Sequence, residues 1–436
     1  LKIILEMLTL QKQITSILSI ICVFFISYLP LSYFFKSLQQ PNIKQTVFLL
    51  LIVLNILVIF LQKRIKSRNE WTIFSLYLLF PVYSLLSYGF AGDALDTTSV
   101  IRNIAFINPL FALFSLSCRD NKNKILLILY AVSFVYTIFL AIALINGTLS
   151  LSSNSFQSIF YQSSQINENN YGYQNTNMYL GINNLSGLYL VLSSKRRILK
   201  LVAIMSVILT VFGMLLTGGR SSLVSLLVVF SILLIRYFAK LLYSLRRIKK
   251  ALIILFFIIF LIFFLNIIVI PLLPTDLTVN LPTIQRLLIL SDTESDSSMR
   301  LLLFSTAWNL FIENAFSVLF GGGINSFSAY MGYYDAKQIM YPHNIILELL
   351  CEYGIIGFIF FFTPVLYILR ARKKFEKVFG LSLEEKFIFF IFFFILMNHM
   401  TTGSLGASWI LVYFSALLVP SKSLRLHHGT NSRDGI

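Results

Sequence analysis

Several stretches of this chain run for about 20 residues with almost nothing but apolar side chains, and that feature limits the folds open to it. Residues 14–35, 198–216 and 252–273 are each long enough to cross a hydrocarbon core of roughly 30 Å as a helix. The runs are continuous, whereas barrel strands alternate apolar and polar over about 10 residues. A lone helix also satisfies its own backbone in lipid. Only 12% of the residues are charged and 57% are hydrophobic, against about 25% charged in soluble domains. The expected fold class is an all-α integral membrane protein with about 12 transmembrane helices.

The expected spans are about 14–35, 45–61, 71–90, 101–117, 124–145, 177–193, 198–217, 221–243, 251–273, 343–369, 386–402 and 405–419. Pro30, Pro81, Pro109 and Pro364 fall inside them and are expected to kink them. The net charge of +17 does not point to nucleic acid, because the basic residues cluster in short loops between apolar blocks. With the N-terminus inside, 28 of the 35 Lys and Arg fall on inner segments, among them 63–66, 119–124, 195–197, 246–250 and 370–374. The outer side keeps Lys36, Lys44, Arg102, Arg220, Arg286, Arg300 and Lys337. This is the positive-inside pattern, and it sets both termini in the cytoplasm. The first block is too long for a cleavable signal peptide and lacks a small-residue cleavage site, so none is expected. Three scattered cysteines, Cys22, Cys118 and Cys351, suggest neither a disulfide framework nor a metal site.

Two outer loops are long: 146–176, rich in Ser, Asn, Gln and Tyr, and 274–342, with a helical stretch near 298–313. Long loops with structure of their own are usually functional. Pro342-His343-Asn344 marks the outer start of span ten, since Pro suits a first helical turn. A helix N-terminus favours an anion, and a neutral His343 there can act as a base; an interfacial histidine with no such role is the plainer use. Thr217-Gly218-Gly219-Arg220-Ser221-Ser222 forms a tight outer turn. In it a Ser can cap the next helix, and Arg220 either binds phosphate or reaches to the headgroups. Arg286 and Arg300 are rare outer cations that either bind an anion or pair with Asp292, Glu294 or Asp296. The helix holding Arg300 carries Leu302, Leu303, Trp308, Phe311 and Ile312, so it is suited to the membrane surface. Gly321-Gly322-Gly323 reads as a flexible turn where backbone can approach a ligand. Alternating carboxylates at 292–296 can hold Ca²⁺ or Mg²⁺, though acidic loops are more often simply solvated. The Asn- and Tyr-rich segment 156–177 suits sugars, as a weak signal. No P-loop, dinucleotide fingerprint or zinc spacing occurs, and the spans hold few ionisable groups, against a coupled transporter.

Taken together, Thr217-Gly-Gly-Arg220-Ser-Ser, Arg300 with Gly321-Gly-Gly-Ile-Asn-Ser-Phe327, and Pro342-His-Asn-Ile-Ile-Leu-Glu348-Leu-Leu-Cys-Glu-Tyr-Gly354-Ile-Ile-Gly357 resemble the O-antigen ligase/polymerase family. The motifs cover roughly residues 200–370, and the hydropathy covers the whole chain. The resemblance implies a GT-C-like membrane glycosyltransferase in three parts. These are helices one to six at 1–200, a catalytic core at 201–420 with an extracytoplasmic loop at 274–342 carrying short helices, and a cytoplasmic tail at 421–436.

The same resemblance implies the chemistry. A glycan moves from a polyprenyl-pyrophosphate carrier to an acceptor hydroxyl outside the bacterial cytoplasmic membrane, with neither cofactor nor metal. Arg220 and Arg300 would hold the pyrophosphate and His343 would take the acceptor proton. Arg286 and Arg102 both remain candidates to complete the phosphate site, with Asn344 and Glu348 as further substrate contacts. The leading expectation is a capsule, O-antigen or exopolysaccharide polymerase, working with a chain-length regulator and a flippase of its pathway. A ligase to lipid A-core shares the fold and much of the site. A lipid-linked oligosaccharide flippase is the rival of another class. It would line a central cavity with polar groups and show two related halves, which the outer cluster of His343, Arg220 and Arg300 argues against.

Overall fold

The structure, a computed structural model, describes residues 68–89, 98–145, 172–216, 220–241, 296–333 and 340–420. The expected spans at 14–35, 45–61 and 251–273 lie outside these residues. So do Arg286, Asp292, Glu294, most of the 146–176 loop, the 217–219 turn and the 421–436 tail.

Among the described residues every regular element is helical. In chain order they are α1 (Arg68–Ser87), α2 (Thr98–Ile101), a π-helical Arg102–Ile107, α3 (Asn108–Cys118), a 3₁₀ turn Arg119–Asn121, and α4 (Lys122–Ile145). There follow α5 (Gly172–Ser193), α6 (Arg197–Leu216), α7 (Arg220–Leu241), α8 (Asp296–Ile312), α9 (Ala315–Phe320) and α10 (Ser326–Tyr330). Last come α11 (Ile345–Phe379), α12 (Leu383–His399), a 3₁₀ turn Leu405–Ala407 and α13 (Trp409–Leu417). Among the described residues three helices are long and apolar enough to cross a membrane, over Glu70–Ser87, Arg197–Leu215 and Ile345–Lys377. Shorter apolar stretches lie at Arg102–Leu116, Ser221–Leu233 and Arg300–Ile312.

The core gathers around α13, every residue of which is buried. Its all-apolar circumference requires this, since a helix hydrophobic all round has no face to give to water. Trp409 and Tyr413 pack on Phe111 of α3, with ring centroids 4.8 and 6.1 Å apart. Polar contacts tie it to neighbouring helices: Ser115 Oγ donates to Tyr413 O at 2.7 Å, and Tyr77 Oη and Ser415 Oγ are 2.7 Å apart.

The turn between α3 and α4 meets the turn between α11 and α12. Lys122 Nζ donates to Glu385 Oε1 at 3.1 Å and to Val419 O at 2.9 Å, and an Arg372 guanidinium N–H donates to Glu385 O at 2.9 Å. Arg119 pairs with Glu70 beside them. Tyr189, near the end of α5, donates to Asn123 Oδ1 at 2.8 Å. Loops assigned to one side by their basic residues are thus gathered at one end of the bundle.

Helix α11 departs from the expected span. It begins at Ile345, three residues after Pro342, and runs to Phe379, so the basic residues 370–374 are helical rather than a loop. The backbone leaves helical geometry inside it at Gly354 (φ 64°, ψ −170°), not at Pro364. A positive φ suits glycine. A side chain there would also strike the Leu319 carbonyl, whose oxygen lies 2.4 Å from the position of a Cβ. The carbonyls near the break find new donors: Gly322 N–H donates to Cys351 O and Gly323 N–H to Glu352 O, both at 2.9 Å. Tyr83 Oη lies 3.1 Å from Tyr353 O and donates toward it. Irregular backbone at membrane depth persists when protein groups satisfy it in this way.

Two loop expectations are corrected by this packing. The Gly321–Gly323 turn spends the N–H groups of Gly322 and Gly323 on α11 and is held by them, rather than standing free as a flexible turn. The helix with Arg300 does not run into it either: α8 stops at Ile312, and the separate α9 leads into the glycines. The cause is Asn314, whose side chain caps α9 by accepting from Ser317 N–H at 2.9 Å.

Candidate functional site

At the other end of α11 lies the His343 cluster. Asn344 is the N-cap of the helix, its Oδ1 accepting from Ile346 N–H at 2.9 Å and Leu347 N–H at 3.2 Å. The side-chain oxygen expected to meet substrate is therefore engaged in capping. His343 precedes it with φ +55°, a left-handed conformation that costs a residue with a Cβ roughly 1–2 kcal/mol. The strain turns the imidazole back over Tyr341, whose ring centroid is 4.3 Å away.

The imidazole is half-buried and lies near the backbone of Thr402. Its Nδ1 is buried and has no hydrogen-bond partner among the described residues. Desolvation, and then the Arg300 guanidinium close by, push the pKa down from 6.5 to about 4, against the opposing effect of the Thr402 backbone. Burial and a like charge both disfavour the cation, so at neutral pH the ring is neutral. Arg300 stands in the second turn of α8, and α8 packs on α11. Two of the expected site residues, far apart in sequence, are thereby side by side.

The segment 398–407 joins the remaining elements. Asn398 Nδ2 donates to Ser222 Oγ at 2.5 Å, and Thr402 Oγ1 donates to Asn398 Oδ1 at 2.7 Å. Ser221 Oγ is 3.4 Å from Thr402 Oγ1. Residues 221 and 222 thus lie inside the first turn of α7 and bind α12 and its following loop, instead of capping their own helix. Arg220 is the first helical residue of α7, so its backbone stands next to this loop; its side chain lies outside the described residues. Arg102 is exposed at the start of the π-helical segment. Its neighbour Asn103 donates to Gly406 O at 2.9 Å, on the same loop.

Glu348 and Glu352 are buried one helical turn apart, 5% and 2% exposed. Glu348 Oε2 accepts from Leu405 N–H at 3.0 Å. Glu352 lies near the backbone N–H groups of Asn325 and Phe327. Neither enters an ion pair among the described residues.

Sequence reasoning did not single out Asn398, Thr402 or Leu405. The signal available was the polar run Asn398-His-Met-Thr-Thr-Gly-Ser404 between two apolar spans, where a bare turn needs fewer polar groups. Among the described residues no cluster of His, Cys, Asp and Glu is arranged to hold a metal ion.

The site therefore joins a neutral, partly desolvated imidazole at the N-terminus of α11 and a guanidinium close enough to act on it electrostatically. That set suits removal of a proton from a hydroxyl beside a bound anion. No curated protein matches the chain. Residues 204–362, which hold Arg220, Arg300 and His343, match the family model described as O-antigen ligase.

Proposed function

We propose that the protein is a polysaccharide polymerase of the bacterial cytoplasmic membrane. It transfers a glycan from a polyprenyl-pyrophosphate carrier to an acceptor hydroxyl of a lipid-linked repeat unit on the extracytoplasmic face. The match to the O-antigen ligase model supports glycan transfer of the O-antigen ligase/polymerase type; the polymerase assignment and the residue roles are our reading. The single observation that carries it is the unpartnered Nδ1 of a neutral His343 beside Arg300.

In the reaction, Nδ1 takes the acceptor proton as the hydroxyl oxygen bonds to the anomeric carbon. The bond from that carbon to the pyrophosphate oxygen breaks, and the electron pair leaves with the lipid pyrophosphate. Arg220 and Arg300 hold the leaving group and stabilise its developing charge. The carrier also tunes the base. A pyrophosphate seated at Arg300 offsets the cation that lowers the His343 pKa, so the imidazole becomes more basic when substrate is present. The outward face of α8 (Leu301, Leu302, Trp308 and Ile312, each about half or more exposed) fits contact with lipid.

A ligase is the second reading, favoured by the description of the matched model. Both are tested by deleting the gene and complementing with wild type or His343→Ala, then resolving lipid-linked and surface glycans on a gel. Single repeat units without a ladder, rescued by wild type alone, are expected, with transfer by the variant reduced on the order of 10²–10⁴-fold. Full-length polymer stranded on the carrier overturns the polymerase in favour of the ligase. Rescue by His343→Ala removes His343 from the chemistry.

A further inference from the structure

We propose, on the reading of the site given above, that Asn398 is a positioning residue joining its two halves. One half is the first turn of α7, which begins with Arg220; the other is the 400–405 loop, which backs Tyr341 and His343. Asn398 stands one residue before the end of α12, and its side-chain amide bonds in both directions. Nδ2 donates to Ser222 Oγ at 2.5 Å, and Oδ1 accepts from Thr402 Oγ1 at 2.7 Å. Ser222 shares the first turn of α7 with Arg220. Thr402 N–H also donates to Asn398 O at 2.9 Å. The Thr402 carbonyl in turn lies 3.5 Å from Tyr341 Oη, and the Tyr341 ring packs on the His343 imidazole with centroids 4.3 Å apart. Contacts thus run without a gap from the turn of Arg220 to the ring beside His343, and Asn398 is the middle link.

An amide donates at nitrogen and accepts at oxygen, so one side chain engages Ser222 and Thr402 at once. Asn398 is 3% exposed with both polar atoms engaged, which suits holding elements together rather than touching substrate. Ser222 and Thr402 are buried as well, and buried polar groups lose free energy when left unbonded. Apolar packing of α7 on α12 holds the two helices in contact but says little about how far one slides along the other. Hydrogen bonds weaken steeply away from their preferred distance and angle, so the amide fixes that register. Ser221 Oγ, 3.4 Å from Thr402 Oγ1, adds a longer contact across the same join. The register carries catalytic weight because Arg220 opens α7. A cation displaced by about 1 Å from the leaving group can lose on the order of 10²-fold in rate.

The test uses the full chain in lipid nanodiscs and two readouts. Turnover of purified polyprenyl-pyrophosphate-linked repeat units gives kcat and donor KM per folded molecule. Electron–electron double resonance between spin labels at Val224→Cys on α7 and Leu301→Cys on α8, both exposed positions, gives the spread of distances between the helices of Arg220 and Arg300. The labelled protein also carries Cys22→Ala, Cys118→Ala and Cys351→Ala. Asn398→Leu keeps the volume and loses both bonds. Its kcat is expected to fall on the order of 10–100-fold, with most of the loss in kcat rather than donor KM, and its distance distribution to broaden. Ser222→Ala and Thr402→Val each cut one side of the link, and they serve if Asn398→Leu does not fold. Either alone is expected to cost as much as both together, since a chain cut once is already cut. Losses that multiply, as independent contributions do, overturn the proposal. So does wild-type kcat in Asn398→Leu, which makes the amide ordinary helix packing, and so does a fall in kcat with an unchanged distance distribution. A loss confined to donor KM overturns it too, because it marks a substrate contact. Failure of the transfer reading is seen separately, as wild type that makes no glycan product, and the distance measurement then still decides whether Asn398 sets the place of α7.

Discussion

At the Arg372 end of α11, cations are matched to oxygens: Arg119 to Glu70, Lys122 to Glu385 and the Val419 carbonyl, Arg372 to the Glu385 carbonyl. At the His343 end, about 27 residues and roughly 40 Å away along the helix, the arrangement is reversed. Arg300 lies close to an imidazole, two buried carboxyls enter no ion pair among the described residues, and an imidazole nitrogen has no partner there. Buried polar groups cost free energy unless bonded. The first end spends its charges on holding helices together. The second keeps an unfavourable set that a substrate anion and a hydroxyl would complete.

The contrast breaks most visibly at Glu385. Glu385→Ala leaves Lys122, a residue 4% exposed, without its carboxylate. Breaking a buried pair in this way costs about 3–5 kcal/mol. Thermal unfolding in detergent should show that loss, while transfer per folded molecule stays at the wild-type level. Lost transfer with intact stability would mean that the far end is not merely structural. A smaller effect is expected at the cap. Asn344→Ala removes the acceptor for two N–H groups and should cost about 1 kcal/mol, read in the same unfolding experiment, and Asn344→Asp should recover it. The smallest change is a titration. The His343 pKa lies near 4, below 6.5, so the neutral base persists down to about pH 4 and activity falls as acid converts it to the cation. Arg300 from α8 lowers that value and the Thr402 backbone raises it. Arg300→Gln should therefore move the midpoint toward higher pH in ¹⁵N-histidine spectra. A downward move would show that Arg300 does not act on the ring.

Much of this organisation was legible in the chain. Apolar blocks and the spacing of basic residues are read locally, so the helical class and the grouping of loops at two ends followed from them. The Gly354 break was not legible. Its neighbour Gly357 looks the same in sequence, and the difference lies in Leu319, whose carbonyl presses against one of them. The role of Glu348 was hidden for a similar reason, because a carboxylate five residues after a histidine looks like a substrate contact until Leu405 is seen to occupy it.

What the sequence determined by itself is the solvent and the chemistry on offer. Residue hydrophobicity decides that the chain is a membrane protein, and His343, Arg220 and Arg300 are present whatever their arrangement. Tertiary structure alone decided that His343 is strained, turned toward Thr402 and set beside Arg300. Those facts depend on contacts between segments more than 40 residues apart, and the pKa of a group and its free nitrogen are properties of its neighbours in space, not of its neighbours along the chain.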